Sequence, residues 1–160
     1  MKAGDMGAGA ARQYGMRGRT QRYEIVLGLY QGGAISPGTS FRDLGVSAVV
    51  DLETVAHYVP APPVGGVYVH WPIPDGHEID PSTTRAVANC VKGLMEAGHV
   101  VLVHCSAGLN RSSLVTARTL IAMGWEPHEA VAHVRRCRRH PGTLGNRSFE
   151  TWLYGETPGT

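Results

Sequence analysis

No run of apolar residues in this 160-residue chain approaches the about 20 that a membrane-spanning helix needs. The opening stretch, MKAGDMGAGAARQYGMRGRTQR, also lacks the continuous apolar core of a secretory signal, so a cytoplasmic protein without a membrane span is expected. Lysine is nearly missing, present only as Lys2 and Lys92, so the positive charge is almost all arginine. A net charge of +2 is too small to point to a nucleic acid or a membrane surface as partner. Cysteine is sparse too, and Cys90, Cys105 and Cys137 stand far apart without the CxxC pairs of a zinc site or the density of a disulfide scaffold. Free thiols are expected. Cys90 falls on the apolar side of a predicted helix with Val87, Val91 and Leu94, and Cys137 continues a stripe through Ala130, Val131 and Val134. Both read as small buried hydrophobes. There is no internal repeat, and the length suits one domain with a real core.

The first 22 residues lack periodicity and read as a flexible tail; residues 23–154 read as the folded domain and 155–160 as a short C-terminal tail. Alternation and β-branching predict strands over residues 25–30, 46–52, 67–73 and 100–103, with a Gly-Gly turn at Gly32 and Gly33. The stretch AHYVPAPPVGG is a loop by its proline and glycine content. Asp80 before Pro81 reads as a cap opening a helix to about Ala97, and further helices are expected over about 112–123, 127–139 and 146–154. Strands alternating with helices imply an α/β fold with a central, mostly parallel sheet flanked by helices.

Cys105 belongs to a different kind of sequence. Residues 104–112 read HCSAGLNRS, directly after the apolar strand and directly before a helix. In an α/β sheet that turn is where ligands bind, and a helix N-terminus there offers unpaired N–H groups and partial positive charge. Small residues at Ser106, Ala107 and Gly108 let the backbone curl so that its N–H groups converge, and Arg111 can grip two oxygens with its planar fork. This is a phosphate cradle with Cys105 at its base, and the charges that hold phosphate also favour a nucleophilic thiolate. The arginines at 135, 136, 138 and 139 read as dipole complement on a solvated helix end.

His104, Cys105, Gly108, Arg111 and Ser112 match the HCxxGxxR[ST] signature of the cysteine-dependent protein tyrosine phosphatase superfamily, and the loop most resembles the small dual-specificity branch. The resemblance extends over about residues 23–154, through LYQGG, LGVSAVVDL and RRCRRHPGTLGNRSFETWL. It implies hydrolysis of phosphate monoesters through a phosphocysteine, with a phosphorylated protein or peptide as substrate and no metal or organic cofactor. Cys105 is then the nucleophile, and Arg111 with the N–H groups of Ser106, Ala107, Gly108, Leu109 and Asn110 binds the phosphate oxygens. Ser112 assists the departing sulfur. His104 hydrogen-bonds the loop backbone, and Asn110 either braces the loop or faces solvent. WPIPDG, residues 71–76, is similar to the family's acid loop and makes Asp75 the proton donor, with Asp80 the rival carboxylate. A phosphate-binding module without catalysis, an RNA 5′-triphosphatase and a phosphoinositide phosphatase remain alternatives.

Overall fold

The computed structural model describes residues 13–14 and 20–160. Within them lie strands β1 (Gln13–Tyr14), β2 (Arg22–Val26), β3 (Leu29–Gly32), β4 (Ala48–Asp51), β5 (Val67–His70) and β6 (Val101–His104), and helices α1 (Phe41–Leu44), α2 (Pro81–Glu96), α3 (Arg111–Ala122), α4 (Pro127–Arg138) and α5 (Arg147–Tyr154). The strands form one sheet in the order β1-β2-β3-β6-β4-β5. β3, β6, β4 and β5 run parallel, and β1 and β2 add an antiparallel edge.

Burial explains why β6 is central. Val101, Leu102 and Val103 are wholly buried, and because neighbouring side chains on a strand face opposite ways, both faces of β6 must be covered. Val101 and Val103 join the core formed with α2, α3, α4 and α5. Leu102 joins a second cluster with Ile35, Phe41 and Leu44, which puts the short α1 on the opposite face. α3 is buried along its whole length, and α2, α4 and α5 pack around it.

The mostly parallel sheet flanked by helices agrees with the sequence reading, with several corrections. The single strand expected over 25–30 is a hairpin, β2 and β3, turned at Gly28 with φ +82°, a backbone conformation that favours glycine. The strand expected over 67–73 leaves the sheet after His70. Its continuation still runs beside β4 through Trp71 N–H to Asp51 O (2.8 Å) and Ile73 N–H to Leu52 O (3.2 Å). Most of the expected tail, residues 1–22, lies outside the described residues; of its described part, Gln13 and Tyr14 pair with Tyr23 and Arg22. At the other end, residues 155–160 fold back on the domain. Glu156 is buried, accepts from Arg85 (2.6 and 2.9 Å) and from the fully buried Arg118 (2.7 Å), and Arg118 also donates to Thr160 O. All three cysteines are free; Cys137 is buried and Cys90 half-buried. Among the described residues no helix is long and apolar enough to cross a membrane.

Candidate active site

Residues 105–110 connect the end of β6 to the start of α3, in the middle of the sheet between the ends of β3 and β4. Cys105 is 2% exposed, and its N–H leans on Gly32 O at 3.4 Å. The loop then docks on the end of β3. Gly108 has φ +67°, and a Cβ there would lie 2.6–2.7 Å from the backbone of Gly32 and Gly33. A side chain at 108 is excluded by both conformation and space. The Gly32-Gly33 pair, read from sequence as a turn, is the surface that permits this approach.

The carbonyl groups of Ser106, Ala107, Gly108 and Leu109 are each engaged from outside the loop. Ser106 O accepts from Ala34 N–H (2.9 Å) and Leu109 O from Leu144 N–H (3.0 Å). Ala107 O accepts from Arg138 Nη2 (3.4 Å), and Gly108 O accepts from Arg138 Nε (2.8 Å) and Gln31 Nε2 (3.1 Å). The N–H groups of residues 106–111, by contrast, donate to none of the described residues. Successive backbone N–H groups left unspent around a tight loop form a concavity that suits an anion.

Arg111 opens α3 and is 7% exposed. Its Nη1 donates to Leu52 O (3.3 Å) and Ile73 O (3.4 Å), and its Nη2 to Ser106 Oγ (3.0 Å), which in turn donates to Glu53 Oε1 (3.0 Å). These bonds fix the plane of the guanidinium. Its Nε has no hydrogen-bond partner among the described residues, although Asp75 Oδ2 stands 3.9 Å away. Ser112 Oγ, fully buried, lies 3.4 Å from the Cys105 sulfur.

The two candidate carboxylates have separate surroundings. Asp75 follows the stretch that runs beside β4 and reaches Arg111 with its side chain 44% exposed. Asp80 caps α2, accepting from the N–H and hydroxyl groups of both Ser82 and Thr83 at 2.6–3.1 Å. The Ser82 hydroxyl first, then Thr83, hold its pKa down to about 2. Asn110 braces rather than facing solvent: its Oδ1 accepts from Asn146 N–H (3.2 Å), and Asn146 Nδ2 donates to Gly76 O (2.7 Å) beside Asp75.

Beneath the loop lies a polar layer of which the sequence reading named only His104. Asp51, Glu53 and His104 are buried together. Asp51 accepts from Tyr68 Oη (2.6 Å) and from Glu53 N–H (2.8 Å). Burial and then the bond to Asp51 raise the Tyr68 pKa and keep the phenol protonated. The His104 ring lies against the loop backbone at Cys105, and its Nε2 stands 3.7 Å from Asp51 Oδ1. Burial lowers its pKa, against the opposing pull of Asp51, Glu53 and the nearby Cys105 backbone, and leaves the ring neutral. The signal was present in VVDLE, where one carboxylate ends an apolar strand and a second follows two residues on. The arginine cluster is also corrected: Arg136 and Arg139 are exposed, but Arg138 is buried against the loop and Arg135 pairs with Glu150 at 2.7 Å.

A cysteine at the head of an anion cradle on a parallel sheet, with an arginine opening the following helix, defines the class of cysteine-dependent phosphatases, hydrolases of phosphate esters. The chain belongs to the dual specificity phosphatases: the family model "Dual specificity phosphatase, catalytic domain" matches residues 29–156. Human DUSP28 is similar in structure with a TM-score of 0.70 at 22% identity, over 82% of this chain and 89% of that one. A mouse putative dual specificity phosphatase, solved with zinc tungstate, gives 0.72 at 20% identity over 93% and 90%. Tk-PTP in its active form gives 0.65 at 25% identity over 82% and 92%. No curated protein sequence matches the chain.

Proposed function

We propose that the protein hydrolyses phosphate monoesters on proteins or peptides, at phosphotyrosine, phosphoserine or phosphothreonine, through a phosphocysteine on Cys105. The observation that carries this reading is the set of N–H donors at 106–111 left unspent among the described residues, beside a buried arginine whose Nε has no hydrogen-bond partner there. In the first step the Cys105 thiolate attacks phosphorus in line. The S–P bond forms as the P–O bond to the leaving group breaks, and Asp75 gives its proton to the leaving oxygen. Arg111 and the N–H groups of Ser106, Ala107, Gly108, Leu109 and Asn110 hold the equatorial oxygens, where transition-state charge is spread. In the second step the Asp75 carboxylate takes a proton from water as that water attacks the phosphocysteine. The S–P bond breaks to the sulfur, which Ser112 stabilises with a hydrogen bond, and inorganic phosphate leaves. His104 supports this site from below as a neutral ring, outside the proton transfers.

Membership of the dual specificity phosphatases supports protein phosphate as substrate. A phosphoinositide is the alternative to run beside it, since PTPMT1, crystallised with PI(5)P, shares the fold at 19% identity and a TM-score of 0.63. The test is phosphate release under reducing conditions from p-nitrophenyl phosphate, phosphotyrosine and phosphothreonine peptides, PI(5)P vesicles and triphosphate-ended RNA, with wild type beside Cys105→Ser. Turnover of the peptides by wild type alone is expected. A preference for the vesicles or the RNA would overturn the substrate assignment, and equal turnover by Cys105→Ser would overturn the nucleophile.

A further inference from the structure

We propose that Arg138 and Gln31 are positioning residues for this site: from behind the loop they turn its two central peptide groups so that the N–H groups of Gly108 and Leu109 face the phosphate. The inference rests on reading residues 105–111 as an oxyanion cradle. A trans peptide is planar, with its C=O and N–H pointing in opposite directions. A donor that pulls the Ala107 carbonyl outward therefore aims the Gly108 N–H inward, and one that pulls the Gly108 carbonyl aims the Leu109 N–H. At the two ends of the loop, backbone groups do this, through Ala34 and Leu144. At its centre side chains do it: Arg138 reaches both carbonyls, and Gln31 Nε2 reaches Gly108 O while also lying 2.6 Å from Ser113 Oγ.

The setting of Arg138 fits this task rather than that of a surface charge. It is the last residue of α4 and is 9% exposed, whereas its neighbour Arg139 is exposed. Its guanidinium lies over the Tyr23 ring, Cζ 4.1 Å from the centroid, which holds the fork in the plane that meets the loop. Hydrogen bonds from a cation to carbonyl oxygens are among the stronger ones. A positive charge behind the two peptides also polarises them, making their inner N–H groups better donors. Arg138 thus acts on the phosphate through the loop, without touching it.

Orthovanadate inhibition and steady-state kinetics on p-nitrophenyl phosphate test this, with the melting temperature of each protein measured alongside. Arg138→Met is expected to weaken vanadate binding about tenfold and to lower kcat by a similar factor, with KM changed less. Arg138→Lys, which keeps one cationic donor, is expected to recover part of the loss and remain about threefold weaker than wild type. Gln31→Leu is expected to match it at about threefold. A purely structural role would lower the melting temperature without moving the vanadate constant of the folded protein. Should Arg138→Met fail to fold, the other two variants decide. Vanadate constants within twofold of wild type in the folded variants would overturn the proposal. Wild type that binds no vanadate would instead remove the cradle itself, and this inference with it.

Discussion

Asp75 and Asp80 stand five positions apart and have opposite environments. Asp80 spends both oxygens on the first turn of α2, which ties its side chain to the cap. Asp75 makes no such bonds and faces Arg111. Asp75→Asn is therefore expected to lower kcat by about 10² to 10⁴ with an alkyl phosphate, and less with p-nitrophenyl phosphate, whose leaving group needs less protonation. Asp80→Asn should leave kcat near wild type while lowering the melting temperature through a weaker cap. Steady-state kinetics with the two substrates decides between them. His104 makes a separate prediction about pH. Its folded pKa is lowered by burial, so as pH falls below about 6.5 the unfolded chain takes up a proton that the folded one refuses. Stability is then full above that pH and declines beneath it, at most by about 1.4 kcal/mol per pH unit from this group. Glu156 and Glu150, held below the usual carboxylate range by Arg85 and Arg135 respectively, act at lower pH. Urea unfolding between pH 7.5 and 5.5 should show the decline in wild type and a flatter profile in His104→Gln.

At the scale of elements, Asn146 joins three segments. Its Oδ1 accepts from Ser148 N–H to cap α5, its N–H meets Asn110 of the Cys105 loop, and its Nδ2 holds Gly76 beside the acid candidate. Asn146→Ala should cost about 1 kcal/mol of stability through the cap and lower kcat roughly tenfold by loosening the Asp75 stretch. Chemical denaturation and kinetics on the same preparation separate the two effects. The sequence made the longer elements readable wherever local chemistry marks them: Asp80-Pro81 opens α2, and short apolar runs mark β4 and β6. It hid the β2–β3 hairpin because the Val-Leu-Gly-Leu run keeps its apolar character through the turn, with Gly28 the only break. It hid α1 because four residues are too few to show a period. Arg138 was misread for a further reason: its partner carbonyl lies 30 positions away in sequence, and helix position alone cannot distinguish a solvated arginine from one turned inward.

For the molecule as a whole, the arrangement places β6 between β3 and β4 and sets α3, buried throughout, against it. The loop between them is gripped on all sides: by the β3 end through Gly32 and Gly33, by α4 through Arg138, by the segment before α5 through Leu144, and by the β4 end through Glu53. The core of this site was legible because HCSAGLNRS concentrates its chemistry in nine consecutive residues. Its supports were not, because Gln31, Glu53, Arg138 and Asn146 come from four separate parts of the chain and meet only in the fold. Mass spectrometry of the protein, acid-quenched during turnover of p-nitrophenyl phosphate, decides whether a phosphocysteine forms. One phosphoryl group is expected on the peptide that contains Cys105, absent from Cys105→Ser. Steady turnover with no phosphoryl group on that peptide, or with one elsewhere in the chain, would contradict the phosphocysteine route.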